Sequence, residues 1–218
     1  MKQESSIKAV IFDIDGTLTT KNSWFEIAIA VGGTPEEDKE ILRMYRSGII
    51  LSEEADTRLL AMWKRQGLAT KENFRKIFES IPLRQDAADL VNYLKSKNII
   101  VCLITGSMDM YAEIIAAKLG LINFYHNANL FWDENNHIKS FNYIVNQGEK
   151  KLEQLHDFCK KNNLKPKECV VIGDSENDYG LFKLTQKGIA VRTEYEDRVL
   201  EQLAWQVVDH LAEIKRFI

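Results

Sequence analysis

Residues 9–19 read AVIFDIDGTLT (Ala9–Thr19), an unbroken apolar run entering two aspartates, Asp13 and Asp15, and then Gly16. Apolar residues without polar alternation mark a strand buried on both faces of a parallel sheet. In extended chain, positions two apart share a face, so both carboxylates are expected to leave the strand's carboxyl end on one side. That end is where open α/β sheets place their ligands. Two like charges so close raise one pKa unless a cation lies between them. Gly16 permits a tight exit that turns backbone N–H groups toward the site. A lone aspartate here reads as a turn or helix cap, whereas DxDGT behind a buried strand reads as a site.

Three further runs share the pattern: Ile99–Ile104, Val170–Ile172 and Gly188–Val191. Helical periodicity lies between them, at Asp86–Lys97, Met108–Leu119, Lys150–Asn162 and Asn177–Leu184. Strand alternating with helix predicts an α/β fold, a doubly wound, Rossmann-like parallel sheet with right-handed crossovers. Ser23 to about Ile81 holds no strand pattern and reads as helices punctuated by Gly32-Gly33, Gly48 and Gly67, with Pro35 and Ser52 at helix starts. The expected organisation is a core of residues 1–20 and 83–218 with a small all-helical cap, 21–82, inserted after the first strand. Ala128–Tyr143, with a turn-forming Glu134-Asn135-Asn136 between aromatic runs, predicts a β-hairpin. Val199–Ile218 is amphipathic and is expected to pack on the sheet edge.

Composition narrows the function class. The chain has 218 residues and a net charge of −3, so it offers no global basic field for nucleic acid, and an anionic ligand must be drawn in locally. Cys102, Cys159 and Cys169 are scattered, and two of them sit in apolar runs where a reduced thiol behaves as a small hydrophobe. Met1–Lys8 is polar, the run after it is too short for a signal peptide, and nothing approaches the ~20 apolar residues of a membrane helix. A cytoplasmic protein without membrane attachment is the expectation.

The later strands end in residues that complement the two aspartates. Ile99–Ile104 leads into Thr105-Gly106-Ser107, a hydroxyl and exposed amides at a strand-to-helix turn, suited either to a phosphate oxygen or to capping the next helix. Val170–Ile172 ends in Gly173-Asp174-Ser175-Glu176-Asn177-Asp178, where Asp174 and Asp178 are spaced to share a helical turn as hard-oxygen ligands for Mg²⁺, or to start a helix with acid. For the cation that an anionic ligand needs, helical phase favours Lys151 over Lys150. Lys151 shares a face with Leu155 and Phe158, while Lys150 lies with Gln154 and Asp157, toward solvent.

These four segments resemble the haloacid dehalogenase-like hydrolase superfamily, and within it the phosphoserine phosphatase-like branch, over nearly the whole chain. DIDGTLT matches the first motif, LITGS the second, Lys151 the third and GDSENDYGLF the fourth, with Lys151 standing 23 residues before Asp174. The resemblance implies a Mg²⁺-dependent phosphatase acting on a small phosphorylated metabolite. It makes Asp13 the nucleophile that becomes an aspartyl-phosphate and Asp15 the general acid/base. Mg²⁺ falls to Asp13, the carbonyl of Asp15 and Asp174, supported by Asp178; the phosphoryl group falls to Thr105, Gly106, Lys151 and Asn177.

Three competing readings follow from the same residues. Dehalogenation needs neither metal nor a second acid, so Asp15 and Asp174 argue against it. A receiver-like phospho-switch carries its acid pair adjacent and its acceptor on a later strand. A catalytically silent phosphate-binding protein keeps the fold, yet no motif residue is missing here. Within the branch, phosphoserine phosphatases carry a Glu nine residues after the nucleophile, where this chain has Asn22. The branch's carboxylate-gripping Arg aligns with Thr57, one step from Arg58. Trp24, Phe25, Arg43, Arg46, Arg58 and Trp63 are equally readable as pocket lining or as the cap's own core and solvated surface.

Overall fold

The computed structural model describes residues 7–218; the polar start at Met1–Ser6 lies outside the described residues. In chain order the elements are β1 (Ala9–Phe12), α1 (Ser23–Ala30), α2 (Pro35–Arg46), α3 (Ser52–Lys64), α4 (Lys71–Ser80), α5 (Ala87–Ser96), β2 (Ile100–Ile104), α6 (Asp109–Leu119), β3 (Asn123–Tyr125), β4 (Ala128–Trp132), β5 (Ile138–Tyr143), α7 (Gln147–Lys161), β6 (Cys169–Gly173), α8 (Tyr179–Thr185), β7 (Gly188–Val191), α9 (Arg198–Leu203) and β8 (Gln206–Val208). Short 3₁₀ turns at Pro166–Glu168, Glu176–Asp178 and Leu211–Arg216 complete them.

Six strands form one parallel sheet in the order β3-β2-β1-β6-β7-β8, so β1 is central and the winding reverses there. Ile11 stands in register with Cys102 on one side and Val171 on the other. Alternate side chains of β1 then serve two interiors. Val10 and Phe12 join α5, α6 and the C-terminal turn, while Ala9 and Ile11 join Leu155, Phe158 and Cys159 of α7 and Leu181 and Phe182 of α8. Every residue of β1 is fully buried, which is why its sequence carries no polar alternation.

Five helices lie between β1 and β2, of which the first four, α1 to α4, make up the helical insertion. Thr34 starts α2 with a reciprocal capping box to Glu37, and Pro35 takes the first helical position. Ser52 opens α3 from inside its first turn rather than as the cap, which is Leu51. The predicted hairpin forms as a separate two-stranded sheet, β4 with β5, and it packs on the inserted helices. Lys71 N donates to Asn136 O (2.8 Å) and Ile138 N to Ala69 O (2.8 Å). Trp24, Trp63 and Phe74 interleave with Trp132, Phe141 and Tyr143 at centroid distances of 5.1–5.8 Å in the direct pairs between helix and hairpin. The Trp24 and Trp63 rings are therefore interior packing of this region.

Two elements differ from the sequence reading. Val199–Ile218 does reach the sheet edge, but it contributes a strand there: β8 pairs with β7. β3 likewise adds an unforeseen strand beside β2. Each is only three residues long, too short for any periodicity to show. Among the described residues no helix is long and apolar enough to cross a membrane.

Candidate active site

The carboxyl ends of β1, β2 and β6 meet at the winding reversal, where a crevice opens in sheets of this kind. Asp13 follows β1 directly, its amide bound to Ile172 O of β6 (2.9 Å), and it is 7% exposed. Carboxylate oxygens of Asp13, Asp174 and Asp178 lie within 4.8 Å of one another. Lys151 enters from α7, fully buried, with Nζ 2.8 Å from Asp178 Oδ1 and 3.2 Å from Asp13 Oδ1. The Asp13 contact has ion-pair distance without hydrogen-bond direction, so Asp13 Oδ1 remains a buried acceptor without a donor.

Charge accounting shows what this set lacks. Burial, then the neighbouring carboxylates, push the Asp174 carboxyl above its ordinary range; burial and Asp13 raise Asp178 as well, against the pull of Lys151. Burial alone would depress the Lys151 ammonium, but Asp13 and Asp178 outweigh it and hold it charged. Three acidic side chains face one ammonium, leaving an excess of acid and a buried Asp13 oxygen that has an ion-pair contact but no hydrogen-bond donor. An all-oxygen set of this kind fits a hard divalent cation such as Mg²⁺.

Asp15 parts company with Asp13. Its Oδ2 accepts from Ser23 Oγ (2.6 Å), and because that proton is committed, Ser107 Oγ donates to Ser23 Oγ in turn. Asp15 Oδ1 is sealed without a partner. Loss of hydration, partly offset by Ser23 and reinforced by Asp13, raises the Asp15 carboxyl to about 7. Asp15 Oδ2 thus turns to Ser23 while Asp13 joins the acidic cluster, the two carboxylates staying close enough for Asp13 to raise Asp15.

The remaining predicted residues fall as follows. Thr105 follows β2 and its Oγ1 accepts from Ser107 N (3.1 Å), a capping geometry, with Gly106 between them. Asp174 and Asp178 do come together, though not across a helical turn. Asp178 closes a 3₁₀ turn, Glu176–Asp178, and its Oδ2 accepts from Asp174 N (3.3 Å). Asn177 sits inside that turn. Lys150 pairs with Glu153 at the surface (2.9 Å), whereas Gln154, expected on the same solvent side, is buried at 6% exposure. Its amide is accepted inside by Asn127 Oδ1 and His126 O, and polar burial of this type leaves no mark in an apolar pattern.

Several contributors were not read from the sequence. Thr17 Oγ1 donates to Asp174 Oδ1 (2.8 Å), and its place in DIDGT was the available signal. Ser23 and Arg84, which donates to Gly16 O (2.8 Å), carried no signal at all. Gly16 has φ +78°, and a Cβ there would fall 2.1 Å from Asp174 Oδ2, so both backbone and space demand glycine.

This chain belongs to the haloacid dehalogenase-like hydrolase family, whose sequence model matches residues 7–183. Within it the likeness is to phosphoserine phosphatases. The enzyme of that name from Campylobacter jejuni subsp. doylei is 27% identical over 183 residues, 81% of this chain and 83% of the relative. The one from Methanocaldococcus jannaschii is 26% identical over 180 residues, 83% of each. Among solved structures, a phospho-aspartyl intermediate analogue of phosphoserine phosphatase superimposes with a TM-score of 0.76 at 24% identity, covering 98% of this chain and 99% of that one, a likeness of fold.

Proposed function

We propose that this chain is a Mg²⁺-dependent phosphatase that hydrolyses a small phosphate monoester through an aspartyl-phosphate on Asp13. The observation that carries the reading is the division of labour at the end of β1: Asp13 joins the acidic cluster and Lys151, while Asp15 is withdrawn to Ser23. In the proposed sequence the Asp13 carboxylate attacks phosphorus and the bond to the leaving oxygen breaks, with Asp15 giving that oxygen its proton. Asp15 then takes a proton from the water that attacks the phosphorus of the aspartyl-phosphate, releasing inorganic phosphate and restoring Asp13. Lys151, Thr105, Gly106 and Asn177 bind the phosphoryl oxygens. Asp13, Asp174 and Asp178, with the carbonyl of Asp15, would hold Mg²⁺, which when bound supplies positive charge against the phosphoryl oxygens. Acceleration of phosphate-monoester hydrolysis reaches ~10²¹, on the order of 28 kcal/mol, of which a general acid contributes roughly 3–5, so fixed charge must supply most of the rest. The core of residues 1–20 and 83–218, the cap of 21–82 and a cytoplasmic setting belong to the same proposal.

Metal removal is the first test. Turnover of p-nitrophenyl phosphate is expected to vanish in EDTA and return with Mg²⁺, with Ca²⁺ substituting poorly because it prefers looser, higher coordination. Full activity in EDTA would sink the assignment.

For the substrate, we infer a phosphorylated sugar, polyol or other small monoester lacking an obligatory α-amino group. The names of the relatives make phosphoserine the competing choice. Against it, Asn22 replaces the expected acid and its side chain is engaged as the cap of α1, accepting from Phe25 N (3.1 Å). Lys21 adds positive charge nearby, paired with the exposed side of Glu26. Thr57 Oγ1 is bound to Glu53 O, and Arg58 and Arg43 are exposed and paired within their own helices to Glu54 and Glu40. An ammonium desolvated without a counter-charge costs several kcal/mol. Comparing kcat/KM for phosphoserine with a panel of such monoesters decides it: phosphoserine is expected to trail, and a tenfold or greater lead for phosphoserine overturns the inference.

A further inference from the structure

Helix α7 turns Gln147, Lys151 and Gln154 to the interior, at 5%, 0% and 6% exposure. Positions i, i+4 and i+7 form one stripe, and a buried stripe is ordinarily apolar. Buried polar groups require partners, and those of Lys151 are already assigned. The two glutamines find theirs in a chain of amides. Gln154 Nε2 donates to Asn127 Oδ1 (2.8 Å) and His126 O (2.9 Å); Asn127 Nδ2 donates to Gln147 Oε1 (2.8 Å); Gln147 Nε2 donates to Ile144 O (2.8 Å). Gln154 Oε1 is left buried without a partner, a cost accepted to aim its amide at both acceptors. Asn127 also grips the turn after β2 through its backbone, N to Ser107 O (3.2 Å).

The chain of amides ends against Gly106. A Cβ on that residue would lie 2.5 Å from Gln147 Oε1. The tip of a glutamine ordinarily swings aside, but this one is held from both its oxygen and its nitrogen. Gln147 and Lys151 are one turn apart on a single rigid helix, about 6 Å along its axis. The wall behind Gly106 and the ammonium opposite Asp13 therefore keep a fixed separation.

We propose that Gln147, held by Asn127 and the Ile144 carbonyl while Gln154 fixes Asn127, is a positioning residue that sets the Thr105–Gly106–Ser107 turn at a fixed distance from Lys151. The proposal rests on the phosphatase reading above, since it concerns the groups assigned there to the phosphoryl oxygens. A displacement of about 1 Å in such groups costs roughly 10²-fold in rate. A glutamine that only filled space would affect stability and leave kcat alone.

The test is a double-variant cycle with two readouts in Mg²⁺: turnover of p-nitrophenyl phosphate, and calorimetric binding of inorganic phosphate. Gly106→Ala is expected to lower kcat/KM roughly 10²-fold, as its Cβ drives the turn off the held amide. Gln147→Ala is expected to lower kcat about tenfold or more with KM changing less, because a loosened turn still meets the ground state. With both changes, the added methyl occupies the space the amide vacates, so the combined loss should fall at least about tenfold short of the product of the two single losses. Wild-type kcat in Gln147→Ala, or losses that multiply, overturns the proposal. Should Gln147→Ala prove too unstable to purify, Gln154→Leu releases Asn127 while leaving Gln147 in place; a smaller fall in kcat is expected, and wild-type kcat overturns the proposal equally. A wild-type protein that binds phosphate without turning over substrate removes the phosphatase reading alone, and the cycle is then scored on phosphate affinity. One that does neither removes both.

Discussion

Asp13→Asn is expected to abolish both turnover and labelling of the protein by a phosphorylated substrate. The amide that replaces the carboxylate is no nucleophile, and one oxygen is lost from the acidic cluster that Asp13 forms with Asp174 and Asp178. Asp15→Asn should behave differently. Asp15 faces Ser23 rather than the cluster, so its loss should slow proton transfer, by ~10²–10⁴, while leaving phosphoenzyme formation detectable. The deficit should be smallest on substrates with good leaving groups, where the oxygen departs without a proton, and should persist in the second step. Mass spectrometry of the intact protein after a substrate pulse separates the two variants. Near wild-type turnover in Asp13→Asn, with no deamidation back to aspartate, would exclude the covalent route.

The second large effect concerns Lys151. Lys151→Ala is expected to lower kcat/KM by ~10²–10³ or more, the lower bound being the loss found when one preorganised neutral donor is removed from a transition state. Stability should fall with it, by ~3–5 kcal/mol, because Asp13 and Asp178 are left buried without their ammonium. Added Mg²⁺ should recover part of that stability but not the rate. Lys150→Ala, one residue away, removes a surface pair with Glu153 worth about 0–1 kcal/mol and should leave kcat/KM within about twofold. Melting curves with and without Mg²⁺, read beside steady-state kinetics, check both halves. A larger loss in Lys150→Ala than in Lys151→Ala would overturn the assignment of Lys151 to the phosphoryl oxygens.

Which of these two lysines turns inward was legible in sequence because helical phase is a local property: Leu155 and Phe158 fix which side of α7 is inside. β1 was legible for a similar reason, since a strand buried on both faces must be apolar throughout. Gln154 was misread because its burial is made by acceptors on Asn127 and His126, which no periodicity reports. The hydroxyls around the aspartates were invisible for a further reason. Thr17 meets Asp174 across 157 residues and Ser23 meets Ser107 across 84, contacts that exist only once the sheet has ordered its strands. β3 and β8 owe their existence to the neighbouring edge they pair with, not to their own three residues.

The shared aromatic interior of the inserted helices and the β4–β5 hairpin bears on whether those helices can be exchanged as a unit. Cutting out residues 21–82 would strip Trp132, Phe141 and Tyr143 of the rings they lie against and leave Asn136 O and Ile138 N without Lys71 and Ala69. The core so trimmed would present a sticky apolar face to water, inviting self-association. The insertion is thus no cassette that can be lifted out and exchanged by its two flanking joints. A chimera carrying these helices on a relative's sheet would have to transplant residues 128–143 along with them.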